Sequence, residues 1–334
     1  MTLLEEIDSW KNKKVLIIGE ALIDKYIFGF ADRISPDAPV PNVKVEETQE
    51  YLGGIGLTLK FIKNLGGIPK ICTIIGNDYE GEFYLKKLKE AEVDPEGIIK
   101  DDEIQTPQVT RIKAMHQHLI RLETDYSSQI SEEVRTRFLE KIRSQSNDVD
   151  SIVILDYGIG AFFQDKFIQT LISNLKKQVP EIPILCRPNI YNYYLYEDVD
   201  LIKMNLQKAL RGSSIDCCTE TSINIVGKKI LNSAKCKNVI LNDIEATSYL
   251  FDKSSESVKK FQSVLKEPVR SYVAIGSILM AILGLSYAAK CSILDSVKIS
   301  LLGATLEAKL PPIKFFNAQK LKKYVSELMD KNLL

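Results

Sequence analysis

The sequence predicts an α/β fold: a mostly parallel sheet with helices on both faces. Three observations carry this. Short apolar runs such as Lys14-Val-Leu-Ile-Ile-Gly19 and Ile71-Cys-Thr-Ile-Ile-Gly76 end in glycine, as buried parallel strands do. Patterns of helical period stand between such runs, the alternation that builds a parallel sheet. The 334 residues, 45% of them hydrophobic, are enough to bury one large core.

In chain order, Lys14–Gly19 reads as the first buried strand. Residues 26–51 are extended, rich in Pro and Val, with a turn at Ser35-Pro-Asp-Ala-Pro39. Gly53-Gly54-Ile-Gly56 opens a helix that runs to Leu65. A second buried strand at Ile71–Gly76 precedes a helix near Tyr79–Ala91. Gln108–His116 and His118–Glu123 read as the two strands of a hairpin. Helices are expected near 131–144, 164–178 and 219–233, with strands at Ser151–Asp156, Ile184–Cys186, Asp200–Asn205 and Asn238–Asn242 between and after them. The extended insertions at 26–51 and 105–123 break the alternation, and are expected to pair as a small sheet over the binding edge of the main one. One domain over 12–320 with these two lid segments, followed by a C-terminal helix at 321–334, is the expected organisation.

Lys and Arg number 44, matched by 44 Asp and Glu, so no field draws in nucleic acid. The N-terminus Met1-Thr-Leu-Leu-Glu-Glu is acidic where a secretory leader is basic, which predicts a cytoplasmic protein with its six cysteines reduced. No Cys-x-x-Cys occurs, and His116 and His118 lack a companion cluster, so no metal site is expected. Ser271–Ala289 carries no charge. Its length suits a bilayer, but its Gly, Ser and Tyr content and lack of a partner span favour a helix buried on all sides. No membrane association is expected.

Three further stretches give the chain a family likeness: Gly19-Glu-Ala-Leu-Ile-Asp24, Arg33-Ile-Ser-Pro-Asp-Ala-Pro-Val-Pro41 and Gly53-Gly54. Together with Gly76-Asn-Asp78, Thr110-Arg-Ile-Lys113, Leu119-Ile-Arg-Leu122 and Asp156-Tyr-Gly-Ile-Gly160, they resemble the ribokinase-like (PfkB) sugar kinases. Within that family they resemble the kinases of D-glycero-D-manno-heptose 7-phosphate, which feed ADP-heptose and lipopolysaccharide synthesis. The resemblance spans about residues 12–310 and is denser in the first half. It implies a ribokinase-like, Rossmann-type three-layer core with a β-sheet lid that pairs with a second subunit. It also implies sugar between lid and core, and Mg·ATP across the C-terminal half. Bifunctional relatives carry a second domain with a His-x-Gly-His signature, which this sequence does not contain.

On the sugar side the resemblance assigns Asp24, Gly53, Gly54, Arg111, Arg121 and Asp156. On the nucleotide side the signatures fail. The family's Gly-Ala-Gly-Asp, where helix N–H groups hold the transferred phosphate and Asp takes the proton, aligns with Ala274-Ile275-Gly276-Ser277. Asn-x-x-Glu, which organises magnesium, aligns with Asn205-Leu-Gln-Lys208 and ends in the opposite charge. Asp-Pro-Lys aligns with Arg187-Pro188-Asn189, and the Gly-containing nucleotide segment with Asn242–Thr247. Leu57 replaces the Asn of Gly-Gly-x-x-Asn, and Glu20 replaces the Asp of the first strand.

Each assignment has a plainer alternative: a turn carboxylate for Asp24, a cap for Asp156, and solvated positions for Arg111, Arg121 and Lys208. Three functions follow. The favoured one is a kinase-fold protein that has lost most phosphoryl transfer and binds a sugar phosphate or a partner subunit. The second is an active sugar kinase using Mg and ATP, with Asp243 or Glu245 as its base. The third is an assembly protein, homodimeric or heteromeric, that uses the lid.

Overall fold

The apolar runs of the first two hundred residues become neighbouring strands because each is buried on both faces. The computed structural model describes residues 2–114, 117–126, 130–159, 163–215, 217–243, 247–255, 257–262, 274–310, 314–331 and 333. The elements begin with α1 (Leu3–Asp8), β1 (Lys14–Gly19), β2 (Ala21–Ile34), β3 (Pro41–Gly54), α2 (Ile55–Asn64), β4 (Ile68–Gly76), α3 (Tyr79–Glu90) and β5 (Ile98–Asp101). Next are β6 (Gln108–Ala114), β7 (Gln117–Thr124), α4 (Glu132–Gln145), β8 (Ser151–Leu155), α5 (Asp165–Gln178) and β9 (Ile184–Arg187). The chain continues through β10 (Leu201–Asn205), α6 (Leu206–Gly212), α7 (Glu220–Ser233), β11 (Asn238–Asn242), β12 (Ser248–Asp252) and β13 (Lys259–Phe261). It closes with α8 (Ile275–Ala288), α9 (Ile293–Ala308) and α10 (Ala318–Asp330).

The main sheet runs β13-β12-β11-β10-β9-β8-β1-β4-β5 among the described residues. It is parallel from β5 to β11, and β12 and β13 add antiparallel strands at one edge. Side chains alternate across it. Val15 and Ile17 enter a core with α2, α8 and α9, while Leu16 and Ile18 enter a second core with α4, α5 and α7. The antiparallel edge was not read in the sequence, since Ser248–Asp252 and Lys259–Phe261 are too short to show a period.

The second sheet runs β3-β2-β6-β7. Its β2–β3 hairpin runs past the expected lid segment 26–51 at both ends, while β6 and β7 cover 108–124 against the expected 105–123. Strands β2 and β3 extend to Ala21 and Gly54, and their inner ends are buried in the core while their outer ends are exposed. The lid therefore has a root, and Asp24 pairs with Tyr51 in it, close to the Leu22–Gly53 and Ala21–Gly54 pairs. Gly54 sits at φ +54, where a non-glycine residue is strained, and starts α2.

Two boundaries need correction. Residues before 12 belong to the fold: Ile7 and Trp10 are buried in the same core as α8, and α1 packs on α10. The helix expected over 321–334 runs over 318–330 instead, because the Asn317 side chain accepts the Lys320 N–H at 3.0 Å and caps it.

Helix α8 takes up the end of the uncharged stretch. Ser271, Tyr272 and Val273 lie outside the described residues. At 14 residues it is about 21 Å long, short of the ~30 Å of a bilayer core. It packs against α9, α2, β1 and β8. Among the described residues no helix is long and apolar enough to cross a membrane.

Candidate functional site

A cavity of about 700 Å³ lies between the lid root and the ends of the parallel strands. Open α/β sheets place ligands at such strand ends. Asp24, Gly54, Arg111, Arg121, Asn205, Lys208, Ile275, Gly276 and Ser277 all line it, although they come from both halves of the chain.

The lid side is held by paired charges. Arg111 on β6 forms an ion pair with Asp24 on β2, with both side chains largely buried. The Arg111 guanidinium also lies 5.2 Å from the centre of the buried Tyr26 ring. Gly53 makes room for this pair, since a Cβ there would lie 2.7 Å from an Asp24 carboxylate oxygen. Gly53 itself is not on the cavity wall. Arg121 on β7 is exposed and pairs with Glu123.

Asp156 does not face the cavity. It is 5% exposed, and its carboxylate accepts from the Gly158 N–H at 2.9 Å, Asn192 Nδ2 at 2.8 Å, Tyr196 Oη at 2.9 Å and the Asn189 N–H at 3.3 Å. Burial raises its pKa and these donors oppose the rise. The geometry is that of a loop brace. Glu20 does similar work, accepting the Tyr157 N–H at 2.6 Å.

The core side is different in kind. Helix α8 begins after Ala274, which stands behind the wall and offers no side-chain cap bond. Ser277 is buried in the first turn. Gly276 admits a neighbour: a Cβ there would lie 3.2 Å from the guanidinium carbon of Arg187. That guanidinium rests 4.8 Å from the centre of the Tyr157 ring. Asn205 caps α6, accepting the Lys208 N–H at 3.1 Å. Lys208 and Arg211 then present cations to the same wall.

Lys203, Arg187 and Arg211 are wall residues that sequence reasoning did not single out as site residues. Lys203 is 2% exposed, and no acidic partner is found for it among the described residues. Desolvation lowers its pKa well below the ordinary lysine value, and Arg187 and Lys208 lower it further. The signal was present: a lysine inside the apolar strand Leu-Ile-Lys-Met-Asn is anomalous unless something polar faces it. Desolvation, Arg187 and Arg121 also lower the Lys208 pKa.

A pfkB family carbohydrate kinase model matches residues 12–257. The chain belongs to the pfkB carbohydrate kinase family. Helix α8 lies beyond the matched residues. The pfkB chain is 28% identical over 292 residues to the bifunctional protein HldE of Campylobacter fetus, covering 87% of this chain and 62% of that one. It is 31% identical over 201 residues to the bifunctional protein HldE of Helicobacter acinonychis, covering 59% and 43%. The chain thus spans less than two thirds of the length of these curated relatives. Its fold matches phosphofructokinase-2 of Escherichia coli, in a tetrameric inhibited form, with TM-score 0.75 at 16% identity over 94% of this chain and 99% of that one. It also matches Arabidopsis thaliana ribokinase complexed with ribose and ATP, with TM-score 0.73 at 14% identity over 94% and 99%.

The wall does not fit the magnesium that the family resemblance implies. Magnesium needs hard oxygen ligands, usually carboxylates with waters and phosphates. Lys208 stands where the resemblance has the organising Glu. The only acids on the described wall are Asp24, paired with Arg111, and Asp243, whose Oδ1 accepts the Thr247 N–H at 2.7 Å. No group of three metal-ligating residues occurs among the described residues. His116 and Glu245 lie outside them, and His118 is exposed on β7.

Proposed function

We propose that this pfkB-family protein binds a sugar phosphate between lid and core and has lost most phosphoryl transfer. The observation that carries this is the head of α8. Ser277 lines the cavity there, at the position where the resemblance has a proton-accepting carboxylate, and the described wall beside it is cationic. A serine hydroxyl is no base near neutral pH, and losing a positioned base costs about 10²–10⁴ in rate. The core-side cations Arg187, Lys203, Lys208 and Arg211 supply the charge that a phosphorylated sugar needs, while Arg111 and Arg121 line the lid side in ion pairs with Asp24 and Glu123. A heptose phosphate is the substrate class the resemblance suggests.

Calorimetric titration with D-glycero-D-manno-heptose 7-phosphate, and separately with Mg·ATP, tests the reading while ADP release is followed. Sugar-phosphate binding with turnover at least about 10²-fold below ordinary kinase rates is expected. Turnover of about 1–100 s⁻¹, the usual kinase range, would sink it. Recovery of turnover in Ser277→Asp would tie the loss to one carboxylate. Asp243 keeps an active-kinase reading open to test, because its side chain is on the wall. On that reading Asp243→Asn abolishes whatever ADP release the native protein shows.

The lid also suits assembly. β7 is an edge strand exposed along its whole length, carrying Leu119, Ile120 and Leu122, and Phe30 on β2 and Val45 on β3 are exposed in the same sheet. Exposed apolar edges invite pairing. We propose a homodimer through the lid, with a heteromer as the other outcome. Sedimentation should give a dimer that Ile120→Asp dissociates. A cytoplasmic setting is proposed from the sequence and from Cys72, Cys186, Cys217, Cys218, Cys236 and Cys291 being free thiols.

A further inference from the structure

The mismatch between this wall and a magnesium ion has a constructive side. We propose that the head of α8 is a metal-independent phosphate site, formed by the Ile275 and Gly276 N–H groups, the Arg187 guanidinium and the Lys203 ammonium. This rests on the reading that the cavity takes a phosphorylated ligand, and not on the loss of transfer.

Four observations converge. Helix α8 has 14 residues and its N-terminus has no side-chain cap, so its first-turn donors and its positive dipole end face the cavity. Lys203 is an almost fully buried cation on the same wall, with no acidic partner among the described residues. An isolated buried ammonium is costly, and the site is stabilised when an anion meets it. Arg187 is shelved on Tyr157 and lies against the side of Gly276 where any other residue would carry its Cβ. A guanidinium there can grip two phosphate oxygens at once. Finally, both acids on the described wall have partners of their own, Arg111 and the Thr247 N–H.

Two fixed cations and a helix end can thus do the charge-neutralising work that elsewhere falls to a divalent ion. Lys208, beside them, adds a third positive charge. The chemical class is a phosphomonoester or the end of a polyphosphate. A sugar phosphate and a nucleotide share that chemistry.

The test uses the full chain and calorimetry with inorganic pyrophosphate, metal-free ATP and D-glycero-D-manno-heptose 7-phosphate. Each is titrated in EDTA and again with magnesium. Binding in EDTA, no weaker than with magnesium, is expected for at least one probe. Which probe binds distinguishes the nucleotide source from the sugar source. Binding that appears only with magnesium overturns the metal-independent site while leaving the sugar-phosphate reading intact. No binding of any probe in either condition removes both. Lys203→Met should weaken metal-free binding about 10–100-fold, the range for charge-assisted hydrogen bonds. The ligand-free variant should keep or raise its thermal midpoint, since a desolvated charge is gone. A lowered midpoint with unchanged affinity would mean that Lys203 is structural and would overturn its assignment. Arg187→Gln gives a second reading of the same site, with an expected loss of similar size.

Discussion

The two walls of the cavity treat charge in opposite ways. At the lid root, Arg111 and Asp24 neutralise each other within a sheet that Gly53 shapes around them. At the head of α8, Arg187, Lys203 and Lys208 share the wall, burial and the Arg187 charge lower the pKa of both lysines, and no acid pairs with Lys203 among the described residues. A paired wall is finished by folding itself. An unpaired one is finished by something that binds, which is why we place the ligand's phosphate at α8 rather than at the lid root.

Truncations should expose this difference in stability. Arg111→Ala leaves Asp24 largely buried and alone, so chemical denaturation should show a loss of about 3–5 kcal/mol. A loss below 1 kcal/mol would mean that the lid root is no tighter than a surface pair.

The helix packed along α8 offers a pH test of a second buried, unsatisfied charge. Glu307 on α9 is buried, one of its carboxylate oxygens has no partner among the described residues, and burial raises its pKa from 4.5 to about 7. The folded state therefore holds a proton that the unfolded state releases above pH 4.5. Stability falls as pH rises from 4.5 to about 7 and then levels, with a total penalty of about 3 kcal/mol. Glu307→Gln should remove that slope and gain most at pH 8. An unchanged pH profile in the variant would show that Glu307 is not the group responsible.

Gly54→Ala sharpens the comparison at the lid root. It places a side chain at φ +54 and against the Glu20 carbonyl oxygen, with an expected loss of about 1–3 kcal/mol in thermal or denaturant unfolding. Asn205→Ala removes only a cap from α6, about 1 kcal/mol. Arg187→Ala should change stability least, by under about 1 kcal/mol, because no acidic group pairs with it among the described residues. A large destabilisation there would place Arg187 in the scaffold and break the contrast between the walls.

The strands and helices of the first half were legible because their periods are clean and their ends carry glycine. Tyr79–Glu90 and Asp165–Gln178 fall within a residue of the boundaries expected for them. Asp24, Arg111 and Ser277 could be singled out from motif positions alone. Their distribution between two walls could not, since that depends on the lid strands running down into the core. Asp156 shows the limit in the other direction. A carboxylate at the end of a strand suits a ligand, but only the fold reveals Asn192, Tyr196 and two backbone N–H groups gathered around it.

The sequence by itself determined the layered α/β core and the lid, because both are written in local period, and it sets a serine at position 277 where the family resemblance has a carboxylate. Tertiary structure decided the electrostatic character of the site. Lys203 is one charge in an apolar strand and Arg187 one charge before a proline, and neither is informative alone. Bringing β9, β10 and α8 to one cavity sets their charges beside a helix N-terminus, and charge acts through distance in space, not along the chain.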